Sequence, residues 1–182
     1  MPVYEYDPPE RFVAGTVGEP GARTFFLQAR GGKRLTSVSL EKTQVSALAE
    51  RVGELLDEIV RRSGGQAPVP AMPAAGSEDT APLDVPIDEE FRVGTMSLAW
   101  DGERDVVVIE CFEASEEDVD PEVPDLTPDR NLLRVSLDGT TARAFATRAL
   151  ALVAAGRPPC PFCAGPLDPV GHICPRANGY RR

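Results

Sequence analysis

A chain of 182 residues, 42% hydrophobic and 26% charged, has the make-up of one soluble domain or two small ones. Its formal net charge of −10 argues against non-specific binding to nucleic acid or anionic membranes, and no apolar run approaches the roughly 18 residues of a membrane span. The opening "MPVYEYDPPERF" has no basic region followed by an apolar stretch, so no secretory signal is expected and a cytoplasmic location is the default.

In chain order, "RFVAGTVG" and "ARTFFLQAR" read as two strands separated by the turn signal "EPG". "GGK" leads into a third strand, "RLTSVSL". A helix follows at about Lys42 to Arg62. Its apolar residues Val45, Leu48, Val52, Leu55, Leu56 and Ile59 recur by threes and fours and make one buried stripe. Gly64 and Gly65 end it. Ser63 to Asp84, rich in Pro, Ala and Gly, is expected to be a mobile linker.

The same plan then recurs. "FRVGTMSLAW" turns at "DGE" into "DVVVIECF", a hairpin signal, and "NLLRVSL" is a third strand. A helix is expected over roughly Thr140 to Ala155, with Asp138 as N-cap and Gly156 just past its end. "VSLEKTQVSALAERV" (Val38 to Val52) aligns without a gap on "VSLDGTTARAFATRA" (Val135 to Ala149), sharing Val, Ser, Leu, Thr, two Ala and Arg. "FVAGT" at Phe12 echoes "FRVGT" at Phe91 in the same order, which points to an internal duplication. One copy carries an insertion, Glu113 to Asp129, with eight acids and no base.

The expected fold is therefore α+β: internally duplicated βββα units forming an antiparallel sheet with two helices on one face. Residues 1–156 form this domain, with repeat one at about 10–62, the linker at 63–84 and repeat two at about 88–156. Residues 157–182 form a small zinc-knuckle-like tail.

The tail holds three of the four cysteines and the only histidine, as "CPFCAGPLDPVGHIC". Cys160 and Cys163 can chelate one ion from a tight turn, and His172 and Cys174, two apart, can face the same side of an extended segment. Four ligands complete a zinc tetrahedron, which marks a structural site rather than a catalytic one with an open position. Two competing readings are a thioredoxin-type redox pair at Cys160 and Cys163, disfavoured by Pro-rich surroundings, and a disordered tail. Arg157, Arg176, Arg181 and Arg182 stand against Asp168 alone. This local positive charge suits either an acidic partner, a phosphate or RNA, or docking on the protein's own acidic body.

Other clusters are weaker. Cys111 in "VVVIECF" reads as a buried apolar residue, and Glu110 as its solvent-facing neighbour. Asp118 to Glu122 reads as a solvated loop, lacking the spacing of a calcium loop. Arg30, Lys33 and Arg34 read as a basic hairpin turn that could hold an anion. No phosphate loop, dinucleotide fingerprint or nucleophile elbow is present, and zinc ligation would remove the single histidine from acid–base chemistry.

The opening "YEYDPPERFVAGTVGEPGARTFFLQAR" and the closing "CPFC…GHICPRANGYRR" resemble the uncharacterised actinobacterial family known as domain of unknown function 3090, across essentially the whole chain. The resemblance includes Cys160, Cys163, His172 and Cys174. It implies no activity, but it does imply a phosphatase-like or kinase-like protein partner. Three functional readings follow. The first is a zinc-binding, non-catalytic binding or adaptor protein. The others are an enzyme or small-molecule binder with a site between the repeats, and an RNA-binding protein using the Arg-rich tail.

Overall fold

The computed structural model describes residues 2–19, 21–76, 78–115, 130–156, 160–163 and 174. The chain runs β1 (Val3–Tyr6), β2 (Arg11–Val17), β3 (Thr24–Gly31), β4 (Arg34–Leu40), α1 (Lys42–Arg62), β5 (Glu89–Asp101), β6 (Val106–Glu113), β7 (Leu132–Asp138) and α2 (Gly139–Ala154). The strands form one seven-stranded sheet in the order β1-β7-β6-β5-β4-β3-β2.

Strand alternation sorts the side chains onto two faces. Phe12, Ala14, Leu27, Val38, Val93, Val107, Ile109, Leu133 and Val135 point to one face and pack with the buried stripes of both helices in a single core. Both helices therefore lie on the same side of the sheet. They meet at Arg143, whose guanidinium pairs with Asp57 at 2.8 Å, and Phe145 stacks on Phe12 with ring centroids 4.7 Å apart.

Local chemistry sets the helix ends. Gln44 Oε1 accepts a hydrogen bond from the Glu41 amide at 2.8 Å, one half of a capping box, while its Nε2 donates to the carbonyls of Val93 and Gly94. At the other end, Gly65 N–H donates to Val60 O at 2.9 Å and Gly64 N–H to Arg61 O at 3.3 Å, both glycines having positive φ. This is the paired closure that glycine makes possible after a helix. Asp138 caps α2 by accepting from the Thr141 amide at 2.7 Å. Gly156 follows the α2 cap residue Ala155 but is not among the described glycines with positive φ.

The sheet is mixed, not wholly antiparallel. Within each meander the pairing is antiparallel, but β4 pairs with β5, and β1 with β7, in parallel. The first parallel joint has a simple cause: α1 and the segment after it carry the chain back to the end at which β4 began. The second involves β1, which sequence patterning does not reveal because four residues broken by Glu5 show no recognisable period. Tyr6 OH meets Thr36 Oγ1 at 2.7 Å, and Arg34 donates to Glu5 O at 2.7 Å. Since β1 and β4 are not neighbours in the sheet, these bonds show that it curls to bring its β1 edge toward β3 and β4.

The Ser63–Asp84 segment is anchored rather than loose. Val69 and Leu83 are buried, and Leu83 packs with Val13 and Phe26 on the face opposite the helices. Asp79 accepts from Arg11 (Nε to Oδ2, 2.6 Å) and from Arg148 (NH1 to Oδ1, 2.9 Å). Asp84 pairs with Arg30 at 3.1 Å and with Arg11 at 3.2 Å. The segment straps β2 to α2.

The strap also rests against the start of α2. A Cβ at Gly139 would stand 2.8 Å from Val69 Cγ2 and 2.9 Å from Pro68 O, and a backbone carbonyl cannot rotate aside. Gly139→Ala is expected to destabilise the protein by about 1–2 kcal/mol, since overpacking outweighs the gain of up to about 1 kcal/mol in helix propensity. A urea titration checks this, and an unchanged or raised midpoint would show that the strap yields.

Several polar residues on the opposite face are paired. Gln28 bonds Ser37, Ser39 bonds Glu89, and Glu110 accepts from Ser97 at 2.7 Å and from Arg134 at 2.8 Å. Glu110 is thus partnered rather than simply solvated. Arg30 and Arg34 are likewise engaged, Arg34 lying 4.9 Å from the centroid of the Tyr6 ring. Among the described residues, no helix is long and apolar enough to cross a membrane.

Candidate metal centre

Past α2 the described chain resumes at Cys160, and residues 161–163 form a turn. A turn of this length places the amides of the second and third following residues over the first side chain. The Cys160 sulfur accepts from the backbone N–H of Cys163 and from that of Phe162. These bonds stabilise the thiolate, as do the neighbouring Cys163 and Cys174 side chains. Together they outweigh burial and hold the Cys160 thiol down at about 6.

Cys174 returns to this turn from fourteen residues on. Its sulfur lies 3.8 Å from that of Cys160. The three sulfurs of Cys160, Cys163 and Cys174 all lie within 4.8 Å of one another, with Cys160 and Cys174 buried and Cys163 half-buried. Three thiols converging on one point can hold a metal ion. Thiolates are soft ligands, and the donor set suits Zn²⁺, Cu⁺ or iron–sulfur chemistry over hard cations such as Mg²⁺.

Of the four ligands expected from sequence, the structure brings together Cys160, Cys163 and Cys174. His172 lies outside the described residues, as do residues 116–129 of the acidic insertion and the tail residues Arg157, Asp168, Arg176, Arg181 and Arg182. The amides of Phe162 and Cys163 do not show in a count of side-chain ligands. Their signal was the two-residue spacing itself, which forces the turn.

The fourth cysteine behaves differently. Cys111 is fully buried in β6 on the helix-facing side of the sheet. Burial, reinforced by Glu110, pushes its thiol up to about 12. It is a packing residue with no thiolate available near neutral pH.

A family model described as "Protein of unknown function (DUF3090)" matches residues 4–174, a span that contains all three converging cysteines and His172. No curated protein and no solved structure matches the chain.

Proposed function

The chain belongs to the DUF3090 family, and on that premise we propose that it is a zinc-binding, non-catalytic binding or adaptor protein. The ligands are Cys160, Cys163, His172 and Cys174. The observation that carries this reading is the spacing of the sulfurs. Zinc–sulfur bonds of about 2.3 Å at tetrahedral angles set neighbouring sulfurs about 3.8 Å apart. The Cys160 and Cys174 sulfurs stand at that distance, 3.8 Å. A disulfide needs about 2.05 Å, so the spacing suits an ion better than a bond. With a fourth ligand supplied by His172 the shell is closed, which leaves no position for substrate and makes the metal a structural element.

The same reading takes the two βββα units as products of duplication, with the tail appended. Support comes from the buried sets of the helices. Val45, Leu48, Ala49 and Val52 in α1 stand at positions equivalent to Ala142, Phe145, Ala146 and Ala149 in α2, and all eight are buried. Phe12 and Phe91, paired by the upstream match, are also both buried in the one core.

The partner is a protein docked through the metal-ordered tail. Crosslinking in the native host followed by capture of the tagged chain tests this. A partner should be recovered repeatedly with the wild-type chain and lost with Cys160→Ser. Recovery of the same partner by both chains would remove the metal from recognition.

A further inference from the structure

A cavity of about 540 Å³, formed by described residues, lies away from the cysteines. It opens between the last turns of α1, the residues just after them and the β5–β6 hairpin. This volume falls within the range of small-molecule sites, roughly 300–1,000 Å³. Its apolar surface comes from Leu55, Ile59, Pro68 and Trp100, the chain's single tryptophan. Trp100 also packs against the main core, which fixes the indole in place.

The charges on its rim are unequal in availability. Glu58 accepts from Arg61 at 2.9 Å and also from Arg62, so these three groups are engaged with one another along the helix, one carboxylate to two guanidiniums. Opposite them, Asp105 makes no ion pair or hydrogen bond with any described residue. Its backbone is nonetheless fixed. With φ at 55° it is the one described non-glycine residue in the left-handed region, held there by the hairpin turn. The nearest hairpin base, Arg104, is turned away to Asp7, with contacts of 2.7 and 2.8 Å.

We propose that this groove binds an organic ammonium ion with an apolar body, its charge set between the Asp105 carboxylate and the face of Trp100 and its body on Leu55, Ile59 and Pro68. An aromatic face and an unpaired carboxylate favour a cation together. An anion meets repulsion from Asp105. A neutral apolar ligand would cover that carboxylate without giving it a partner, which costs free energy. The site brings together elements of both βββα units and the strap, and it does not depend on the metal reading.

A single tryptophan on the groove wall makes intrinsic fluorescence a direct readout. Benzyltrimethylammonium titrated into the full chain should give a saturable change in emission, and benzyl alcohol should not. Asp105→Asn keeps a residue that tolerates left-handed backbone and removes the charge. It should weaken binding about fivefold, the size of one partly screened ion pair. Asp105→Gly, for which this φ carries no penalty, should show the same loss, so a folding defect in one variant cannot explain both. Binding should also weaken as salt rises. Absence of saturation, equal binding of benzyl alcohol, or unchanged affinity in both variants would overturn the proposal.

Discussion

The purified chain is expected to carry one zinc ion, and Cys160→Ser, Cys163→Ser and Cys174→Ser are each expected to lose it on dialysis. Metal analysis by mass spectrometry measures this directly. The size of the effect follows from what the metal replaces. A structural zinc in a short peptide contributes apparent free energies of roughly 10–16 kcal/mol at neutral pH, and without it such peptides do not fold. Neither Cys160 nor Cys174 belongs to the core that joins sheet and helices. Chelation should therefore expose the cysteines to thiol reagents while shifting the main melting transition by less than about 3 °C, equivalent to about 1 kcal/mol in a chain of this size. Cys111 should stay unlabelled until that transition, which provides an internal standard. Full zinc content in Cys160→Ser, or no zinc in the wild type, would refute the ligand set.

Asp79→Ala is expected to lower stability by about 2 kcal/mol, or roughly 4–8 °C in melting temperature. Exposed ion pairs contribute about 0–1 kcal/mol, while breaking a buried pair costs about 3–5 kcal/mol. Asp79 lies between these limits: its side chain is 34% exposed, while those of Arg11 and Arg148 are 11% and 17% exposed. Its removal leaves both guanidiniums with backbone carbonyls, and Arg11 with Asp84, so the loss is partial.

The pH dependence has a definite sign. The hydrogen bond from Arg11 holds the Asp79 carboxyl below its ordinary value of 3.8. A depressed acid stabilises the fold at pH values above its unfolded pKa and loses that contribution as pH falls through its folded one. The gap in melting temperature between wild type and Asp79→Asn should be full at pH 7. It should narrow as the pH drops past 3.8 and close below that. A gap that persists in strong acid would mean that the loss does not come from the carboxylate charge, and no gap at pH 7 would mean that the strap is held by packing at Leu83 and Val69 instead.

These two sites differ in how far the sequence reveals them. The candidate metal centre is local: a two-residue spacing dictates a turn, and cysteine is rare enough for a cluster to stand out. Helix α1 is equally legible, since a regular apolar stripe runs along it and the pair Gly64 and Gly65 marks its end. The strap is not. Its composition of Pro, Ala and Gly is that of a free linker, and its anchors Val69, Asp79, Leu83 and Asp84 are isolated within it. Their partners Arg11, Gln28 and Arg148 lie more than fifty residues away and carry no mark of the pairing. Strand β1 was missed for a related reason: its hydrogen bonds go to β7, and only the folded sheet brings the two together. The Trp100 groove had a faint signal, a lone tryptophan beside a hairpin turn, but nothing in the local pattern brings the end of α1 against it.

The pairing of β1 with β7 also constrains the order of synthesis. Residues Val3–Tyr6 leave the ribosome before the rest of the sheet, yet their partners Leu132–Val135 come nearly 130 residues later. Strands β2, β3 and β4 with α1 can begin to assemble as they emerge, while the leading strand must wait through most of translation for its place. For that interval it is an unpaired segment ending in Tyr6, a residue buried in the finished protein. The acid Glu5 within it and the two prolines that follow give such a waiting strand some defence against pairing with the wrong neighbour.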